Sequence, residues 1–163
     1  MTRLLICNAD DFGRAISITD AIIDCYRNGI LTSTTLMANM PAAEYACQRA
    51  KEVEGLGVGV HLTLTEGSAL SKKEDVRNLV NNEGIFHPIL KQRDNLWRAG
   101  SKVGRQIERE FSAQMERAIG LGIKPAHCDS HHGIHSLAIV RDAMIKVVRD
   151  YGIFKVRNQI GKT

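Results

Sequence analysis

The chain has 163 residues, enough for one domain with its own core and too short for two comfortable ones. Hydrophobic residues make up 44% and charged residues 25%, a globular balance that excludes a disordered chain. The net charge of +4 is scattered rather than massed, and aromatics are only 5%, so neither a basic block nor a stacking platform for nucleic acid is present.

The elements alternate. Residues 3–9 (RLLICNA) form a short apolar run that meets a turn and reads as a buried strand. In residues 17–29, Ile18, Ala21, Ile22 and Cys25 fall at helical spacing, with Ser17 as N-cap and Gly29 as C-cap. Residues 30–39 are rich in β-branched side chains and predict a second strand. Pro41 opens a helix that runs to about Glu54. In residues 55–65, Val58, Val60, Leu62 and Leu64 alternate with Gly59, His61, Thr63 and Thr65, which predicts a third strand with one aliphatic face. From Glu66 to about Gly100 periodicity fails, and the stretch reads as one long loop of the functional or mobile kind. Val103, Ile107, Phe111, Met115 and Ile119 then recur at intervals of four, a helix. Residues 120–130 give a glycine stop and a fourth strand, 136–152 a helix, and 153–158 a fifth strand. The fold class is α/β, a parallel (βα) repeat, either an open doubly wound sheet or part of a barrel.

Cys7, Cys25, Cys47 and Cys128 are far apart, lack CxxC spacing and sit in apolar runs, so they read as buried free thiols. No signal-peptide pattern opens the chain, and no apolar run nears the roughly 18 residues of a membrane span. A reducing, cytoplasmic location is expected.

The ligand-capable residues cluster. Residues 126–135 (AHCDSHHGIH) hold His127, Asp129, His131, His132 and His135 at the end of the fourth strand. Asp10 and Asp11 follow the first strand, and His61 lies in the C-terminal half of the third. Parallel α/β proteins build their sites at the carboxyl ends of strands, so three distant segments deliver acids and imidazoles to one sheet edge. In extended geometry His127, Asp129 and His131 share a face and Cys128 points away, while Asp10 and Asp11, being adjacent, diverge. Alone, His61 would read as a hydrogen-bonded core histidine and the Asp pair as a capping turn. Together they read as a metal site with positions open for water and substrate. Two lookalikes fail on context. Asp11–Gly13 (DFG) has no glycine-rich loop or lysine strand before it, and Gly161–Thr163 (GKT) lacks the leading glycine of a P-loop because Val156 stands there. Trp97 reads as a loop anchor, with sugar stacking as the alternative.

Three motifs carry a family resemblance: residues 8–13 (NADDFG), 59–67 (GVHLTLTEG) and 124–135 (KPAHCDSHHGIH), with 28–43 between them. They resemble the YdjC-like carbohydrate deacetylases, the chitooligosaccharide deacetylase family, over essentially the whole chain. The resemblance implies an irregular (βα) barrel, as in polysaccharide deacetylases, and metal-dependent removal of acetyl groups from N-acetylated amino sugars or oligosaccharides. It implies Asp11, His61 and His131 as metal ligands and Asp10 as general base. It leaves His127, Asp129, His132 and His135 behind the ligands or facing substrate. The family is described with magnesium, whereas two imidazoles and a carboxylate chemically favour zinc or another transition ion; the metal stays open. Family members are longer and draw a further histidine, the expected general acid, from a later segment. On that comparison residues 1–163 form a single domain incomplete at its C-terminus. Exposed final strand edges would favour a homodimer. The competing readings are a truncated, inactive relative that binds metal or sugar without turnover, and a metal-dependent phosphoesterase.

Overall fold

In the computed structural model of the chain, residues 5–158 are described. Arg3 and Leu4 of the expected first strand, and the Gly161–Thr163 triplet, lie outside the described residues. The elements are β1 (Asn8–Phe12), α1 (Ile16–Asn28), β2 (Ser33–Leu36), α2 (Ala43–Lys51), β3 (Gly57–Leu62), α3 (Ile89–Trp97), α4 (Ser101–Gly120), β4 (Cys128–Ser130) and α5 (Ala138–Asp150), with 3-10 turns at Lys73–Asp75 and His131–Ser136. All neighbouring strands are parallel, in the order β1-β2-β3-β4. Sequential order with right-handed crossovers sends every helix to one face, whereas a doubly wound sheet reverses direction and covers both. Of the two architectures expected, this is the barrel type. The fifth strand appears as one parallel bridge, Cys128 to Val156, flanked by bonds from Cys128 N to Lys155 O (2.9 Å) and from Arg157 N to Cys128 O (3.0 Å).

The helix-covered face holds the core. Phe12, Leu36, Val60, Leu62 and Cys128 from the strands pack with Ile22, Ile23, Ile107, Phe111, Met115 and Val140 from the helices. The opposite, inner face is polar: Asn8, Ser33, Gly59, His61 and His127 come from successive strands or their approaches. Toward the strand beginnings it lines a hollow of about 790 Å³ with Ile6 and Phe154 at its rim.

Three expectations shift. The first strand is not the apolar run: Leu5 and Ile6 are exposed, and pairing starts at Asn8 opposite Ser33. At a sheet edge an apolar run is not forced inside. In α1 the buried stripe is Thr19, Ile22 and Ile23, with Ala21 and Cys25 outward; the helix starts at Ile16 after Ala15, so Ser17 is not its cap. All four cysteines are free, but only Cys47 and Cys128 are buried; Cys25 is exposed and Cys7 partly so.

The stretch after β3 is ordered for a reason periodicity cannot reveal. The helix α3 occupies residues 89–97 of it, and side chains of α4 satisfy the loop backbone. Gln106, Glu110 and Gln114, spaced by four, are all buried. Gln114 accepts from Thr63 N (2.9 Å) and donates to Thr63 O (2.7 Å). Glu110 accepts from Leu70 N (3.0 Å) and Ser71 N (2.9 Å), and Gln106 accepts from Asn78 N (3.0 Å). Gln92 of α3 donates to Leu64 O and Leu79 O. Buried loop backbone needs such partners, and here one polar helix stripe supplies them.

Candidate metal centre

The strand β1 departs from regular pairing just where its acids lie. Ala9 pairs with Thr34 and Phe12 with Leu36, so two residues, Asp10 and Asp11, stand against Thr35 alone. This is a β-bulge, and Asp11 takes a left-handed φ of 67° within it. Such a conformation is costly for a side-chain-bearing residue and persists where the surroundings hold it. The bulge turns both carboxylates toward the strand ends. The β3 alternation brings His61 to the same place, and the turn after β4 brings His131.

Asp11, His61 and His131 each offer one donor atom, all within 4.8 Å of one another. Asp11 Oδ1 lies 3.1 Å from His131 Nδ1 and 3.5 Å from His61 Nε2, and the two ring nitrogens are 3.3 Å apart. Asp11 Oδ1 is buried yet makes no hydrogen bond, because neither nitrogen approaches it along a bonding direction. An orphaned carboxylate oxygen facing two imidazole nitrogens is the geometry of three ligand atoms around a common centre. The residues present therefore fit a divalent cation.

Each imidazole is held from its far side. His61 Nδ1 donates to Asp129 Oδ1 at 2.5 Å, and Asp129 is fully buried. The Thr35 hydroxyl sits against both partners, 3.3 Å from His61 Nδ1 and 3.5 Å from Asp129 Oδ2. His131 Nε2 donates to Glu66 Oε2 at 2.9 Å. Arg14 joins Glu66 Oε1 (2.8 Å) to Asp11 Oδ2 (3.2 Å). Arg157 grips Asp10 with two nitrogens (2.8 and 2.6 Å) and reaches Asp129 Oδ2 at 2.9 Å. Four carboxylates thus meet two guanidiniums. With His61 neutral, as a ligand must be, the two negative charges left over are what a divalent cation would cancel.

The remaining expected residues lie around this centre. Asp10 is partly exposed and faces Arg157, away from Asp11 but within reach of His61 and Asp129. Asn8 Nδ2 donates to Asp10 Oδ1 at 2.9 Å, and Asn8 Oδ1 accepts from His127 Nε2 (3.1 Å) and Ser33 Oγ (2.8 Å). His127 is thus linked to Asp10 through Asn8. Its ring lies across β3 where Gly59 has no side chain: a Cβ there would come 2.8 Å from the ring and 2.6 Å from His127 O. His132, at φ 55°, stacks its ring on His131 with centroids 3.8 Å apart, and its Nδ1 is 3.0 Å from Thr65 Oγ1. His135 is buried against Ser130 Oγ at 2.5 Å. Trp97 is exposed on α3.

The electrostatics follow from these contacts. The imidazoles of His131 and His61 hold the Asp11 carboxyl far below the usual carboxylate range. Burial works to raise Asp10, but the Arg157 hydrogen bonds and the positive field of His61 outweigh it, and the net shift is downward. Burial works to lower His61, but Asp11 and Asp129 win and push it up to about 9. Burial lowers His127, His132 and His135.

Two residues of the site escape a reading of the sequence. Glu66 lies in the 59–67 motif, four residues past the end of β3, where periodicity fails; an acid just past a strand end was the available signal. Arg157 lies in the expected fifth strand among other basic residues, and nothing in the order of residues marks it.

A family model described as YdjC-like protein matches residues 4–163. A protein of Clostridium beijerinckii named carbohydrate deacetylase is 43% identical over 149 residues, 91% of this chain and 58% of the relative. One of the same name from Geobacillus stearothermophilus is 46% identical over 135 residues, 83% of this chain and 51% of the relative. A crystal structure from Enterococcus faecalis V583, named for a proposed role in cellobiose-phosphate cleavage, superposes with a TM-score of 0.87 at 29% identity, covering 97% of this chain and 59% of that one. The chain spans little more than half the length of these relatives.

Proposed function

The chain belongs to the YdjC-like protein family, and from that premise we propose that it carries the metal centre of a carbohydrate deacetylase, a hydrolase releasing acetate from N-acetylated amino sugars or oligosaccharides. The observation that carries this reading is the convergence of Asp11, His61 and His131 within 4.8 Å at the strand ends. The name shared by the Clostridium and Geobacillus relatives supports the substrate class. Both guanidiniums beside the centre are paired with carboxylates, which leaves them poorly placed to grip a phosphate, so a phosphoesterase is not favoured.

Asp11, His61 and His131 would hold a divalent ion, magnesium or a transition ion such as zinc, which when bound supplies Lewis-acid polarisation of the acetamide carbonyl and acidifies water. Asp10 takes the proton of water as the water oxygen adds to the acetamide carbonyl carbon, and that proton passes to the amine nitrogen as the C–N bond breaks. Arg157 keeps that carboxylate ionised and aimed, at the cost of some basicity. Asp129 fixes the His61 ring so that Nε2 faces Asp11. His132 and the partly exposed edge of Asp10 are the groups that meet substrate.

We take residues 1–163 as one (βα) domain, working in the cytoplasm as its four free thiols favour, and able to pair as a homodimer. No helix among the described residues is long and apolar enough to cross a membrane. The test is acetate release from N-acetylated chitooligosaccharides with added Mg²⁺, Zn²⁺ or Co²⁺. Release with at least one ion, abolished by chelation and by Asp11→Ala, is expected. Release that survives both would overturn the reading.

A further inference from the structure

We propose that Glu66 is a positioning residue of this centre: it fixes which ring nitrogen of His131 faces the ligand cluster. The inference rests on the metal-centre reading above. Imidazole has two nitrogens, and when neutral only the unprotonated one can ligate. His131 directs Nδ1 toward Asp11 and His61. Its Nε2–H is donated to Glu66 Oε2 at 2.9 Å. That bond keeps the proton on Nε2 and leaves the Nδ1 lone pair for the cation. The arrangement mirrors His61, which uses the other nitrogen: Asp129 holds Nδ1–H, and Nε2 faces inward. Each histidine thus has its own carboxylate, one on each side of the cluster.

Besides His131, two residues hold Glu66 itself. Arg14 Nε takes its second carboxylate oxygen at 2.8 Å, and the same guanidinium reaches Asp11 Oδ2 at 3.2 Å. Asn39 Nδ2 donates to Glu66 O at 2.9 Å. Arg14 therefore locks the spacing between one ligand, Asp11, and the carboxylate that orients another. His132 packs a ring tilted by 36° against His131, but offers nothing that selects a tautomer. Glu66, His131 and His132 also lie close enough to be considered as a ligand set of their own. However, the Glu66–His131 contact is a direct hydrogen bond, and Glu66 Oε1 is already taken by Arg14, so orientation is the role that fits.

The test is titration of the metal-free full chain with Zn²⁺ and with Co²⁺ by calorimetry, beside ¹⁵N NMR of the histidine rings. Glu66→Ala should weaken binding about 10–100-fold, the usual cost of losing such a partner. Glu66→Gln still accepts from Nε2–H and should recover part of the loss. In the spectra His131 should carry its proton on Nε2 in the wild type and in Glu66→Gln, and on both nitrogens in mixture in Glu66→Ala. Affinity within about twofold of wild type in Glu66→Ala, or an Nδ1–H tautomer in the wild type, would overturn the assignment. Loss as complete as in Asp11→Ala would make Glu66 a ligand and also overturn it. Wild-type protein that binds neither ion, or Asp11→Ala that binds as wild type, would instead sink the metal-centre reading itself.

Discussion

One face of β3 carries Val58, Val60 and Leu62 into the packing under the helices, while the other carries Gly59 and His61 toward the acids of β1 and the histidines beyond β4. The two faces alternate residue by residue along six positions, yet they answer to different demands. The aliphatic face is stabilised by removal of apolar surface from water and by close packing. The polar face holds a buried imidazole between two carboxylates, a bulged strand and a left-handed aspartate, none of which a stability-driven sequence would choose. The contrast locates function: strain and buried charge gather on one side of a strand whose other side is ordinary core.

Perturbations on the two faces should therefore separate. The largest effect is expected from Asp10→Asn, which keeps the side-chain shape beside Arg157 but removes the proton acceptor. Initial rates of acetate release should fall about 10²–10⁴-fold, with the thermal midpoint nearly unchanged; equal rates would remove Asp10 from the mechanism. Next is Leu62→Ala on the opposite face, which should cost about 2–5 kcal/mol in urea unfolding. Cation affinity of the folded fraction should stay as in wild type, and a parallel loss of affinity would show that the faces are coupled. Gly59→Ala is smaller, about 1–3 kcal/mol of overpacking, because the new Cβ meets the His127 ring and backbone. It should also loosen the His127–Asn8 bond, seen as a changed His127 ring signal.

The smallest effect is a pH dependence. The folded value of His61, about 9 without metal, lies above its ordinary 6.5. Its stabilising contribution is fully present below 6.5 and is lost as pH rises through 9. The urea midpoint of the metal-free chain should fall over that window more steeply than that of His61→Gln. Equal slopes would show that His61 holds no extra proton.

The α/β class and the gathering of acids and imidazoles at one sheet edge are legible because both follow from local order. Strand alternation gives His61 its face, and parallel topology gives all strand ends one side. What sequence order hides is action at a distance. Glu66 meets His131 across 65 positions and Arg157 meets Asp10 across 147, so neither pairing leaves a periodic trace. The bulge at Asp10 and Asp11 is equally silent, since pairing register is a property of two strands. Gln106, Glu110 and Gln114 mislead in another way. Polar residues at helical spacing read as a solvent face, but here they are buried and hold the loop that carries Glu66. The misplaced first strand has the same origin: Leu5 and Ile6 look like core in sequence, and only their place at the sheet edge shows them exposed among the described residues.

Where a cation sits decides between the candidate ligand sets. Crystals soaked in Zn²⁺ or Mn²⁺ and measured at an energy where the metal scatters anomalously would locate it directly. One strong peak is expected, bonded to Asp11 Oδ1, His61 Nε2 and His131 Nδ1, at about 2.0–2.2 Å for zinc. A peak among Glu66, His131 and His132, a peak between Asp10 and Asp129, or no peak at all would contradict this assignment.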